Sequence, residues 1–298
     1  MNASPLILTV HLGGNHITVA VYDTAANCLI PGSYLRVPVS HKAKQLTILN
    51  IWRDTIAEVV GKAEAVIAGC SLIVPACFDP AKLTNLPKGY NRYATLQGFD
   101  VAGFFAECLG LSQADVKLFS HAEAMLKGEI DDFGKTATTV YGITIGTDLG
   151  GAVAKNNAQD IADLNWEFAP FLNGYANNFL SSEWLQAFYY EATGISVLNV
   201  EQMISLYKSG NAVKVIIKMF ADNFHDFLQA HATVKPGDVF LIEGDIVLAG
   251  SHFLSRLKKA FPSAVFKLVE PGKKSSLVGG GLLFGALTIM DQGINITN

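Results

Sequence analysis

Two glycine runs carry most of the chemistry this chain offers: His11-Leu12-Gly13-Gly14-Asn15-His16, and Gly146-Thr147-Asp148-Leu149-Gly150-Gly151. Each interrupts apolar residues that read as the arms of a β-hairpin, 6–10 into 17–23 and 140–145 into 152–154. Glycine at a hairpin tip lets backbone N–H groups approach an anion closely. Two tips facing each other would clamp a nucleoside triphosphate, which makes Gly13, Gly14, Asn15, Gly146, Thr147, Asp148, Gly150 and Gly151 the candidate nucleotide contacts. A single glycine turn is weak evidence, because most only close a turn. Here the argument rests on a pair with matched surroundings.

The elements that must position these tips follow from periodicity. A third strand is expected around 34–39 and a helix over 44–61 with a broad apolar face. The continuous apolar run 65–74, ending at Pro75, suits a strand buried on both faces. Residues 75–98 read as a long loop, followed by a helix at 101–110 and a strand at 116–119. Ser120 and Glu123 have the spacing of a capping box at the start of the next helix. Beyond the second hairpin come an Asn-rich loop at 173–178, helix over much of 181–231, a strand at 239–242, a helix at 251–261, a strand at 264–268 and a closing helix at 276–290. The order predicts an α/β protein of two lobes with a central cleft, one from 1–118 plus a C-terminal helix at about 281–298, the other from 119–280.

Composition narrows the partners. The chain has 298 residues, half of them hydrophobic, enough for a substantial core. A net charge of −4 with scattered Lys and Arg argues against nucleic acid as a partner. No apolar run approaches the ~20 residues of a membrane span, and the first residues lack the pattern of a signal sequence, so a cytoplasmic protein that does not engage membrane is expected. Mean hydropathy of +0.30 is accounted for by a large core or by an apolar interface between copies of the chain. Cys28, Cys70, Cys77 and Cys108 form no C-x-x-C pair and are read as reduced and mostly buried.

In their order along the chain, Gly13-Gly14, Val74-Pro75, Leu96-Gln97-Gly98, Ser120-His121-Ala122-Glu123-Ala124, the second glycine run and the glycine-rich stretch 277–286 resemble the ROK family of sugar kinases. That family is glucokinase-like and belongs to the actin-like ATPase, ribonuclease H-like superfamily. The resemblance spans nearly the whole chain and implies two lobes of that fold, Mg·ATP as cosubstrate and a sugar as acceptor. It also implies site residues, and here the chain departs from the pattern. The family's first hairpin reads Asp-x-Gly-Gly-Thr, with the aspartate organising metal and phosphates; His11 and Asn15 stand at those positions. The family's catalytic base is the aspartate of Asn-Asp-x-Asn-Ala, and here the turn places His121 at that point.

The sugar-binding Glu-x-Gly-His segment corresponds to 162–166, and the family's zinc-binding cysteine cluster to 173–178. Candidate substrate contacts are therefore Thr95, Ser120, Glu123, Asp163, Trp166 and Glu167, and no zinc is expected because no cysteine follows Cys108. Asp148 and Asp245, beside Gly244, introduce carboxylates on the nucleotide side. At about 4 Å and an effective dielectric near 20, each unpaired like charge costs roughly 4 kcal/mol. The expected function is thus a catalytically impaired kinase homologue, or pseudokinase, acting through a sugar or nucleotide ligand or through association. The competing expectation is an active kinase with His121 as base. No winged-helix segment precedes the first strand, so the repressor branch of the family is not expected.

Overall fold

The computed structural model describes residues 5–63, 66–75, 93–130, 139–155, 160–206, 211–270 and 272–291. Residues 76–92 of the expected loop, and Cys77 with them, lie outside these. The chain forms two compact units, Met1–Glu129 with Lys274–Asn298, and Ile130–Lys273.

The first unit is built on β1 (Leu6–Leu12), β2 (His16–Asp23), β3 (Cys28–Leu29), β4 (Leu35–Pro38), β5 (Ile67–Val74) and β6 (Val116–Ser120). Strand β1 is central: β2 pairs with it antiparallel, and β5 followed by β6 extends the sheet in parallel on the other side. Both β3 and β4 pair along β2. Alternation assigns the faces. Leu8, Val10 and Leu12 of β1 pack with Trp52, Phe104 and Phe105 from α1 (Gln45–Ala63) and α2 (Val101–Leu109). Ile7 points the other way, toward Tyr22 and Phe284. Helix α3 (His121–Glu129) follows β6 directly.

In the second unit β7 (Val140–Ile145), β8 (Leu149–Lys155) and β9 (Asp160–Asp163) form an antiparallel meander, and β10 (Pro170–Phe171) with β11 (Gly174–Tyr175) makes a small separate ribbon. After α4 (Ser182–Thr193), α5 (Val200–Ser205) and α6 (Asn211–His231), strand β12 (Val239–Glu243) joins β7 in parallel. Helix α7 (Gly250–Ala260) then leads to β13 (Val265–Leu268), parallel to β12. The order β13-β12-β7-β8-β9 repeats that of the first sheet: a central strand, an antiparallel hairpin on one side and two parallel strands on the other. Register stacks Tyr141, Phe240 and Phe266 on neighbouring strands, with ring centroids 4.6 and 4.8 Å apart. Helix α6 buries Ile216, Ile217, Phe220, Phe224 and Phe227 in this core.

The last helix, α8 (Ser275–Asp291), returns to the first unit and packs on α3 at glycine contacts. A Cβ on Gly128 would overlap the Ser275 carbonyl, and one on Gly279 the Ala124 carbonyl. Ser275 donates to the buried Glu129 carboxylate across this contact. Cys70 is buried, which pushes its thiol well above the ordinary range, whereas Cys28 is exposed, contrary to the expectation of burial. None of the described helices is long and apolar enough to cross a membrane.

Candidate functional site

The parity that sends Ile7 toward α8 also sends His11 to that face of the sheet. On β2 the even positions share it: Tyr22 and Ala20 belong to the cores on this side, while Val19 and Ile17 belong to the other. His16 therefore emerges beside His11. On β4, where Leu35 and Val37 pack on the opposite core, Arg36 joins them. Because β6 runs straight into α3, His121 arrives at the same end of the sheet. The His11 ring centroid lies 4.2 Å from that of His121 and 5.4 Å from that of His16. An Arg36 guanidinium nitrogen is 3.3 Å from His16 Nδ1, and the Asn15 side-chain oxygen is 2.6 Å from the same atom. The sequence argument had singled out His11 and His121 but missed His16 and Arg36, which the register of β2 on β1 and of β4 on β2 brings to them.

Electrostatics follow from this crowding. Burial lowers the His11 pKa well below the ordinary value of 6.5, with His121, His16 and Arg36 adding to the shift. His16 is pushed down to about 3, by burial first and then by Arg36 and His121. Both rings are neutral at pH 7. Each retains a lone pair, yet Arg36 and the positive end of α3 surround them with donors.

The hairpin tip is arranged so that its carbonyls face inward. Tyr93 donates its hydroxyl to Gly13 O, His41 Nδ1 and the His41 amide both bond Gly14 O, at 2.7 and 3.1 Å, and the Val39 amide bonds Asn15 O at 3.0 Å. Among the described residues, the amides of Gly14 and Asn15 meet no acceptor. The tip thus keeps two backbone donors of the kind an anion takes. His16 lies over Gly13, where a Cβ would collide with its ring. Ser120 and Glu123 make the expected capping box: the Ser120 amide donates to Glu123 Oε2 at 2.9 Å and the Glu123 amide to Ser120 Oγ at 3.1 Å. Thr95, exposed on a single helical turn, donates to Ala43 O at 2.9 Å.

In the second unit only Gly146, Thr147 and Asp148 form the tip. Gly150 and Gly151 are strand residues of β8, a correction to their expected place in the turn. The bareness of Gly151 serves packing, since a Cβ there would enter the Trp166 indole. Asp148 Oδ1 accepts from Asn177 Nδ2 at 3.3 Å, and Asn177 Oδ1 accepts the Leu149 amide at 2.7 Å. Gly244, at φ 111°, passes against the Ile145 backbone, and Asp245 accepts from Ser182 Oγ at 3.1 Å. The two carboxylates that sequence reading set against a triphosphate are thus each held by a neighbouring side chain. Asn177 and Ser182 were not foreseen in that role.

Of the candidate sugar contacts here, Asp163 accepts the Asn165 amide at 2.6 Å and fixes a turn in which Asn165 has φ 49°. Trp166 requires a correction. It is 4% exposed, stacked with Tyr141 and edge-on to Phe227, a core residue with no face left for a sugar. Glu167 is 1% exposed, and neither carboxylate oxygen has a partner. Burial, with Asp163 and Asp148 nearby, raises its pKa to about 8, so it is protonated at neutral pH.

Neither metal of the resembled family fits these residues. The segment corresponding to the zinc cluster is tied instead by amides, with Asn178 Oδ1 accepting from the Tyr175 amide at 2.9 Å. At the first hairpin, imidazoles replace the carboxylate that a hard divalent cation requires. Among the described residues no group of three or more His, Cys, Asp or Glu side chains is arranged to hold a metal ion.

No family model matches the sequence, and no curated protein does. Solved structures match closely in fold. A ROK-family glucokinase from Streptomyces griseus, determined with glucose and AMPPNP, superposes with a TM-score of 0.73 at 16% identity over 93% of this chain and 98% of its own. A ROK hexokinase from Thermus thermophilus gives 0.68 at 16% identity, covering 96% and 99%. A ROK-family transcriptional regulator, a homologue of the E. coli MLC protein, also gives 0.68, at 14% identity over 97% of this chain and 81% of that one. The chain has the actin-like ATPase fold of ROK sugar kinases.

Proposed function

We propose that this chain is a divergent ROK-type sugar-kinase homologue that binds a small sugar or nucleotide ligand and is impaired in phosphoryl transfer. The observation supporting this reading is the first-hairpin site itself, where His11, His16, His121 and Arg36 meet and imidazoles stand at the positions of the family's two aspartates. Phosphoryl transfer depends almost wholly on positioning and on preorganised charge around metal and phosphates. A site that presents imidazoles to the metal position lacks that preorganised charge. The acceptor side is weakened as well, with Trp166 in the core and Glu167 uncharged.

A neutral imidazole can still accept a proton, and His121 stands at the start of α3, where the family places its base. The experiment is therefore ATP- and hexose-dependent turnover of the wild type, His121→Ala, and the double variant His11→Asp, His121→Asp. We expect all three near background, because Asp148 and Asp245 remain on the nucleotide side of the double variant. Robust wild-type turnover lost in His121→Ala overturns the reading and establishes His121 as a working base.

A further inference from the structure

The groups at the first hairpin share one property: they are donors, or become donors on protonation. His11 comes from β1, His16 from β2, Arg36 from β4 and His121 from the first position of α3. They are partly open to solvent, and Arg36 is exposed. The amides of Gly14 and Asn15 add two donors, because the neighbouring carbonyls are bound by Tyr93, His41 and Val39.

Among the described residues, acidic groups are scarce on the elements that pack here. Glu123 of α3 receives the Ser120 amide in its capping box. Helix α8 has no ionisable residue from Ser275 to Met290. The only titratable side chain of β5, Cys70, belongs to the opposite face, and β6 contributes Lys117, two positions before the level of His11. Charge complementarity therefore selects an anion. A divalent cation would meet Arg36 and the N-terminal end of a helix.

We propose that this cluster binds a compact oxyanion, free phosphate or the phosphate group of a small phosphorylated ligand, without a divalent cation and with uptake of protons by the imidazoles. This rests on the ligand-binding reading above and narrows it to a ligand class. In the empty site, charging one ring is opposed by the other rings and by Arg36. An anion seated among them reverses the sign of that interaction, so binding and protonation reinforce each other. The magnesium ion that neutralises phosphate in a kinase is replaced by side-chain protons.

The test is calorimetric titration of the full chain with sodium sulfate, inorganic phosphate and glycerol 3-phosphate, in EDTA, at pH 6 and pH 8, in two buffers of different ionisation enthalpy. Sulfate does not titrate in this range, so any proton taken up on its binding passes from the buffer to the protein. We expect sulfate at least tenfold tighter at pH 6, with about one proton taken up, and binding unchanged when EDTA is replaced by Mg²⁺. Arg36→Ala, on an exposed strand position, should weaken it tenfold or more with an unchanged thermal midpoint in the absence of anion. His16→Asn should flatten the pH dependence.

Tighter binding of glycerol 3-phosphate than of phosphate identifies a phosphorylated ligand; the reverse order identifies free phosphate. No oxyanion binding at pH 6, binding that requires Mg²⁺, or binding that is independent of pH and of Arg36 overturns the proposal. Turnover is a separate readout. A kinase-active chain that binds sulfate with proton uptake overturns the earlier reading and supports this one, and an inactive chain that binds no oxyanion does the opposite.

Discussion

Glu167 and His16 are two side chains whose ionisation is at odds with their surroundings, and they pull stability in opposite directions. The Glu167 carboxyl, ordinarily near 4.5, is raised to about 8 in the folded chain. Between those values the folded chain keeps a proton that the unfolded chain has released. The Glu167 contribution to stability is then fully present below pH 4.5 and is lost as pH rises toward 8, by up to about 1.4 kcal/mol per pH unit. Glu167→Gln should remove this slope, raising the thermal midpoint by several degrees at pH 8 and changing it little at pH 5. A midpoint difference that is the same at both pH values would contradict it. His16, lowered from 6.5 to about 3, acts the other way. Its contribution is fully present above pH 6.5 and is lost as pH falls toward 3, so His16→Asn should flatten the acid limb of the midpoint curve.

Helix packing sets the next scale, and α8 supplies a paired experiment. Replacing a mid-helix glycine by alanine ordinarily stabilises by about 0.5–1 kcal/mol. Gly285 has open space around it, and Gly285→Ala should follow that rule. Gly279 lies against the Ala124 carbonyl of α3, so Gly279→Ala must push two helices apart and should destabilise by roughly 2 kcal/mol or more. Denaturant unfolding of both variants reads the contrast; equal effects would mean that α8 does not pack on α3 in solution. Likewise Gly151→Ala should be costly, because the Trp166 ring occupies the space its methyl needs.

For the molecule as a whole, the division into units makes a prediction about autonomy. Residues Ile130–Lys273 are continuous and have their own core around α6 and the Tyr141, Phe240 and Phe266 stack. Expressed alone they should fold cooperatively, with a dispersed amide spectrum. Residues 1–129 alone should not, because α8 supplies Leu277 and Phe284 to the cores beneath the sheet and covers Gly128 of α3. Restoring 274–298 in trans or through a linker should recover the fold.

Most elements were legible because the signals that make them are local. The apolar run of β5, the periodicity of α6 and the Ser120–Glu123 cap each depend on residues within a few positions of one another. The two glycine hairpins were legible for the same reason, and with them the actin-like ATPase fold and the histidines at positions 11 and 121. What needed the tertiary structure was everything set by register and by contacts distant in sequence. His16 and Arg36 join the site because β4 pairs with β2 at that offset, and α3 is shaped by a helix some 150 residues later. Trp166 was expected at the substrate because the family resemblance aligns it with a sugar-binding segment, while its buried environment is created by Gly151, Tyr141 and Phe227, which no local pattern brings together. Burial and pairing decide whether a given His, Glu or Trp is chemistry or core, and both are properties of the assembled sheet.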